Sequence, residues 1–386
     1  MQKAWEPFRK GDKVLLFLCL FATAFGCLMI ASATNAVGYT RYVTIQIIAA
    51  CIGVGLYLLV SSIDVEFISE HRSWLVFINA AMILALIPFG TDNGTGNRSW
   101  IPIPIIGIYA QPAEICKILF VLVMASVMAS HQNRPSHPWS VLHLALHAGG
   151  FAALNYLVSD DLGVTLIFVF IFLVLAIAGG ISIIWFLISG GFLVVAAPII
   201  WNNFLDGYQR NRLEVLINPA LDPYGTGVRY HAVRSLRSLT GGGLTGQGLF
   251  NGTRTQTKNL LYAQHTDFIF SAIGEELGYI GCLFVMVLLF AIVIRVIWVG
   301  TRSQDYMRRM ICFGSAAALI FQILINIGMC IGVGPVIGLT LPFISYGGSS
   351  LISLYAMLGL VSGVYARPAP TSHERYIRPP LASPYH

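Results

Sequence analysis

Ten stretches of this 386-residue chain are each apolar for about the length that a helix needs to cross a bilayer, and nothing else in the sequence constrains the fold so tightly. A hydrocarbon core of about 30 Å takes roughly 20 helical residues to span. Runs of that kind fall at 14–33, 42–61, 74–90, 113–130, 140–158, 162–178, 181–201, 268–298, 310–331 and 344–365. Inside lipid the backbone polar groups must be satisfied within the protein, so each run reads as an α-helix. Charged residues make up 10% of the chain and hydrophobic ones 56%, more apolar surface than a water-soluble core absorbs. The expected fold is all-α: a polytopic membrane protein of about ten transmembrane helices, with a large outer loop between helices 7 and 8.

The head, 1–13, is polar and basic, and the apolar run after it is longer than the roughly 7–15 residues of a signal-peptide core, so it reads as a retained first helix. An even number of spans puts both termini on one side. Thirteen of the 23 Lys and Arg residues fall on that side, while the short loops of the other side hold only Arg41 and Arg98. The excess of basic residues marks the cytoplasmic face, which makes both termini cytoplasmic. The net charge of +6 is then a matter of membrane topology, and no nucleic-acid partner is expected. All seven cysteines lie in apolar runs without C-x-x-C spacing, as small buried side chains do.

The outer loop, 202–266, is the exception to the economy of the chain. Aromatics, apolar residues and turn signals such as Asn218-Pro219 and Asp222-Pro223-Tyr224-Gly225 argue against disorder. Short amphipathic helices at the membrane surface are expected there. The loop carries Arg210 and Arg212, then Arg229, Arg234 and Arg237. Guanidinium groups in such a place suit a pyrophosphate, or equally the headgroups of anionic lipids.

The densest cluster of ionisable residues follows. His265-Thr266-Asp267 stands at the mouth of an apolar run, with Glu275 and Glu276 deeper in it. Ionisable groups at membrane depth are costly unless paired or wet. With a helix starting near Thr266, Asp267 sits in its first turn and the glutamates about 12 Å further in, where they need buried partners. An aspartate in that position is as well explained by helix capping as by chemistry.

Three further patterns stand out. Glu114 and Lys117 are spaced i,i+3 on the fourth span, as an ion pair or as a contact to an anionic headgroup. Asp160 and Asp161 open the sixth span, where one acid reads as a cap and the other as a partner for a loop arginine. The Gly332 to Ser350 region breaks the apolar pattern at membrane depth, which is tolerated only against protein or water. Such a break lines a cavity or allows close helix packing, and packing is the simpler reading. By contrast, Gly241-Gly242-Gly243-Leu244-Thr245-Gly246 fits a dinucleotide pattern in letters only, since no strand precedes it. His143 and His147 have the i,i+4 spacing of a zinc helix but no third ligand.

Taken in order, these motifs resemble the shape, elongation, division and sporulation (SEDS) family of bacterial membrane proteins, which includes RodA, FtsW and SpoVE, with RodA slightly favoured. The likeness runs from about residue 14 to 367. It is carried by Asn97, Arg98, Ser99 and Trp100 with Gln111 to Lys117, by Tyr208 to Leu213, by Asn218-Pro219 and Asp222-Pro223, and by Thr266 to Gly278. Its most telling part is Pro342-Phe343-Ile344-Ser345-Tyr346-Gly347-Gly348-Ser349-Ser350. The chain departs from the family pattern at Tyr262-Ala263, Ser159-Asp160-Asp161 and Arg234-Ser235.

The resemblance implies a single transmembrane domain over 1–367 with a short cytoplasmic tail, 368–386, in the bacterial cytoplasmic membrane. It implies a peptidoglycan glycosyltransferase that joins lipid II units outside the cell, beside a class B penicillin-binding protein and other elongation or division proteins. Asp267 matches the family's essential acid. The substrate-binding candidates around it are Arg210, Arg212, Arg234 and Lys117 as cations, and Glu114, Asp161, Glu275, His265, Thr266, Ser345 and Ser349 as polar partners. No protein metal ligands are identified, and a divalent cation, magnesium or manganese, is the one cofactor considered, for the departing pyrophosphate. Inverting displacement needs one carboxylate base and no nucleophile. The main rival is a transporter that flips the lipid-linked precursor, which buried charges and a broken segment also suit, although the two halves show no convincing repeat. A third reading is a scaffold without activity.

Overall fold

The computed structural model describes residues 10–367 apart from Val37, Tyr39, Asp64, 66–70, 93–96, 104–107, 204–206, Val228 and Asn259. The expected tail, 368–386, lies outside these residues. The chain is a helical membrane protein. Its elements are α1 (Lys13–Asn35), α2 (Thr40–Ser61), α3 (Arg72–Leu84) running on into α4 (Leu86–Phe89), a hairpin of β1 (Ile101–Ile103) and β2 (Ile108–Ala110), α5 (Pro112–Ser130), α6 (Pro138–Ser159), α7 (Leu162–Ala178) and α8 (Ile183–Asn203). There follow α9 (Gly207–Ile217), a 3-10 turn at Pro219–Leu221, α10 (Tyr230–Gly241), α11 (Ile269–Arg302), α12 (Tyr306–Cys330) and α13 (Gly348–Ala366).

Among the described residues nine helices are long and apolar enough to cross a membrane, counting α3 and α4 as one. The tenth expected crossing, α7, is apolar but has only 17 residues. At 1.5 Å per residue it covers about 25 Å, just short of the hydrocarbon core. Side chains at the helix starts fix their boundaries. Asp12 accepts from Leu15 N–H at 3.0 Å, Asp161 from Val164 N–H at 3.1 Å and Asp305 from Arg308 N–H at 2.8 Å, each meeting a backbone donor that the first turn leaves open. Proline opens α5 and α6, where its missing N–H costs nothing.

Small residues let the helices approach. Gly359 and Gly363 of α13, four apart, lie against α2, where an added methyl would stand 2.7 Å from Tyr57 O and 2.9 Å from Ser61 O. The core gathers α5, α12 and α13, each lined with buried residues, while none of the described side chains of α8 is buried. The bundle has two distinct ends. At one, Ser32 of α1 and the first turns of α11 meet the 247–256 stretch, and Gln46 of α2 holds Ser345 and Gly347 just before α13. At the other, Asp12 is bridged by Arg295 at 2.8 Å and Arg367 reaches the carbonyls of Ser62 and Ile63. The Asp12–Arg295 pair joins the start of α1 to the far end of α11 and was not foreseen from the sequence.

The long segment between α8 and α11 does contain two short helices, as expected. The hairpin was not expected: Ile101 pairs with Ala110 and Pro102 with Tyr109, with an added bridge from Thr91 to Trp100. The alternation Ile101-Pro102-Ile103 was its signal, masked by the prolines. The Gly241 to Gly246 run is a packing device. Gly243 O and Leu244 O accept from Tyr279 and Ile280 N–H at 2.9 and 3.2 Å, where α11 breaks at Gly278. Gly278 has φ 68° and ψ −166°, a backbone that essentially only glycine adopts.

Candidate active site

The first turns of α11 are held by the segment before them. Glu275 is fully buried, and its oxygens accept from Arg254 N–H at 2.6 Å, Thr255 N–H at 3.1 Å, Thr255 Oγ1 at 2.8 Å and Thr253 Oγ1 at 3.3 Å. Glu276, also fully buried, accepts from Ser32 Oγ at 2.5 Å, Gln256 Nε2 at 2.9 Å and Phe250 N–H at 3.3 Å. The expectation that these acids need buried partners is met. The carboxyl of Glu275 pins the 253–255 turn to α11, since a buried acid needs donors in place of water.

That anchoring sets Asp267 at the mouth of α11. The helix begins at Ile269, three residues later than the expected start, and Phe268 is its cap residue without a side-chain capping bond. Asp267 is therefore not the cap, and that alternative falls away. Its backbone carbonyl accepts from Asn326 Nδ2 at 2.9 Å and from Cys330 Sγ at 3.7 Å, both on α12. Asn326 Nδ2 also donates to Leu339 O at 2.7 Å, so one side chain ties Asp267 to the 331–347 segment. A methyl on Gly338 would lie 3.6 Å from Asp267 Oδ2, and Gly338 has φ +68°. The carboxyl is half-buried, and burial pushes it up to about 6, an effect that a hydrogen bond from Thr266 only partly offsets.

The broken segment forms the floor. Ser345 Oγ donates to Thr266 O at 2.6 Å and accepts from Leu341 N–H at 2.9 Å. Tyr346 N–H donates to His265 O at 2.8 Å. Gln46 grips the turn from α2, donating to Ser345 O at 3.0 Å and accepting from Gly347 N–H at 3.2 Å. Ser345 thus ties the two segments together through a hydroxyl engaged on both sides. Ser349 stands half-buried in the first turn of α13. The His265 ring packs on Tyr42 at 4.6 Å and Tyr346 at 5.8 Å, and burial holds its imidazole below the usual histidine range.

A second polar group adjoins. Glu114 and Lys117 form a buried pair at 2.8 Å, as their spacing suggested, and Ser353 Oγ donates to Glu114 at 2.8 Å. Asp161 accepts from Ser99 Oγ and Gln111 Nε2, each at 3.2 Å, as well as capping α7. Burial pushes its carboxyl up, against the pull of the Val164 N–H and Ser99 bonds, and the charge of Glu114 adds to the rise. The two groups share the 336–339 stretch: Gly163 packs on Ile337 O, and Gly338 faces Asp267. Asp160 takes the left-handed turn that ends α6, and Ala263 is likewise left-handed, at φ 53° and 47°.

Of the arginines, Arg234 stands on α10, a helix that packs against α11. It donates to Leu260 O at 3.2 Å and covers the Tyr230 ring at 4.2 Å. Neighbouring Ser235 bonds Ser271 of α11 and donates to Cys330 O at 2.9 Å, so α10 is locked beside the mouth. Arg210 is on α9 and donates to Asn202 O at 3.1 Å, next to the 3-10 turn. The Arg212 side chain lies outside the described residues. Gln46 and Asn326, polar residues within apolar spans, were missed in the sequence, although an amide at membrane depth was itself a signal. Among the described residues no three His, Cys, Asp or Glu side chains converge as a metal site. His143 instead meets His131 at 2.9 Å, at the other end of the bundle.

Comparison with known proteins identifies the family. The family model for FtsW, RodA and SpoVE, described as cell cycle protein, matches residues 13–368. The peptidoglycan glycosyltransferase MrdB of Escherichia coli K12 is 32% identical over 92% of this chain and 93% of its own. A probable peptidoglycan glycosyltransferase FtsW of Trichlorobacter lovleyi is 31% identical over 94% of this chain and 97% of its own. Among solved structures, a chain from a peptidoglycan synthase complex that coordinates polymerization and crosslinking superposes with TM-score 0.77 at 27% identity, over 92% of this chain and 97% of that one. Thermus thermophilus RodA shares the fold with TM-score 0.67 at 24% identity, over 94% and 98%. With the match covering nearly every described residue, the chain belongs to the FtsW, RodA and SpoVE family of cell cycle proteins.

Proposed function

We propose that this chain is a peptidoglycan glycosyltransferase of the cytoplasmic membrane, polymerising lipid II on the outer face with Asp267 as general base. The observation that carries the reading is the placement of Asp267. It is half-buried at a helix mouth, spent on no cap, and anchored through its backbone to α12. A carboxyl raised to about 6 is ionised at neutral pH and a better proton acceptor than an ordinary aspartate. In the reaction Asp267 takes the proton from the acceptor sugar hydroxyl as its oxygen attacks the anomeric carbon. The bond from that carbon to the pyrophosphate oxygen breaks, with inversion, and undecaprenyl pyrophosphate leaves.

The leaving anion needs positive charge. Arg234 on the locked α10 is the leading candidate, with Arg210 and Arg212 on α9. Lys117 is already neutralised by Glu114, so the pair is given the task of shaping the site, with Asp161, His265, Thr266 and Ser349 as polar contacts. A divalent cation, magnesium or manganese, is the other candidate for that charge, since such an ion needs only one or two protein carboxylates beside the substrate's phosphate oxygens. The end of the bundle that carries Asp267 faces outward, because basic residues crowd the other end. A class B penicillin-binding protein is the proposed partner, supported by the likeness to a chain of a synthase complex.

The test is to incubate the purified chain, with and without such a partner, with labelled lipid II and resolve the products by size. Glycan strands that vanish in Asp267→Asn are the expected result. Strands of equal length and yield from that variant would overturn the base assignment, and movement of lipid II across vesicles without strands would favour a transporter.

A further inference from the structure

The opposite end of the bundle holds a cavity of about 290 Å³ that the glycosyl-transfer reading does not use. It lies between the last turn of α11, the first turn of α12 and the end of α13, and is lined by Trp298, Arg302, Asp305, Arg308, Tyr365 and Arg367. Three arginines and one aspartate thus share the lining. Asp305 is engaged as the cap of α12, accepting from Arg308 N–H at 2.8 Å. Arg308 donates to Arg367 O at 3.2 Å, and Arg367 reaches back to α2, so these two form a fixed wall. Arg302 is exposed and lies over the Trp298 ring at 4.3 Å. The nearby Arg295 covers Trp298 from 4.2 Å while bridged to Asp12.

We infer that this cavity binds the phosphate of an anionic phospholipid, with Arg302 as its exposed cation and Trp298 and Tyr365 at the headgroup level. Guanidinium forks match phosphate oxygens. Aromatic rings at a helix end sit where lipid headgroups meet hydrocarbon, and Tyr365 is 43% exposed there. The inference rests on the proposed orientation, in which this end faces the cytoplasm, whose leaflet attracts basic residues.

The test uses the full-length chain in detergent and reads bound lipid by native mass spectrometry during titration with phosphatidylglycerol, phosphatidylcholine or inorganic phosphate. Wild-type protein should retain phosphatidylglycerol in preference to phosphatidylcholine. Arg302→Gln should weaken phosphatidylglycerol by about fivefold, the effect of one basic residue at a lipid surface. Arg134→Gln, on the same end but away from the cavity, should leave it unchanged. Equal losses in both variants would reduce the effect to general surface charge and overturn the site. Retention of inorganic phosphate with no preference between the lipids would replace the lipid with a soluble phosphate and overturn the assignment as well. Because the readout is lipid retention, its failure is distinct from a failure of polymerisation.

Discussion

Replacing Asp267 with asparagine separates chemistry from structure, because the two roles open to this residue move stability in opposite directions. Burial raises the carboxyl from 3.8 to about 6, so the folded state binds the proton more tightly than the unfolded chain does. Stability is then greatest below the unfolded value, falls as pH rises between 3.8 and about 6, and stays at the lower level at neutrality. At 1.36 kcal/mol for each pH unit, the ionised form costs at most about 3 kcal/mol at pH 7, and partial exposure reduces this to about 1–2 kcal/mol. An uncharged asparagine removes that cost, so Asp267→Asn should melt no lower than wild type at pH 7. Loss of a general base should lower polymerisation by about 10²–10⁴-fold. Thermal unfolding of the purified variant, paired with lipid II turnover across pH 5–8, reads both. Wild-type turnover should fall as the pH drops through about 6. A variant that melts lower and keeps activity within a few-fold of wild type would refute the reasoning, since that is how a structural acid behaves.

Other outcomes follow from the same contacts. Glu114→Ala leaves Lys117 charged and buried, and should cost about 3–5 kcal/mol in thermal or denaturant unfolding, whereas an apolar pair at both positions should recover most of it. Asn326→Ala removes the link from Asp267 O to Leu339 O and should lower kcat about 10–100-fold with KM nearly constant, measured by steady-state lipid II turnover. Gly278→Ala forces a side chain into the bend and within 2.5 Å of Leu244 O. It should destabilise the protein by about 2 kcal/mol or more, visible as a lower melting temperature.

The sequence by itself determined the membrane class, the approximate ends of the helices and the Glu114–Lys117 pair, because these depend on local quantities: apolar run length, charge and spacing along one helix. It also marked Asp267, through a carboxylate at the edge of an apolar run. Tertiary structure decided what that carboxylate is free to do. The helix start at Ile269, the absence of a capping bond and the Asn326 bridge depend on α12 and on the 331–347 segment, which no local pattern relates to residue 267. The same holds for Glu275, whose donors stand about twenty positions earlier in the chain, and for the cavity at Arg302, which three helices close together. Spacing along one helix is written in the chain itself, but a contact between distant segments exists only once the helices have packed.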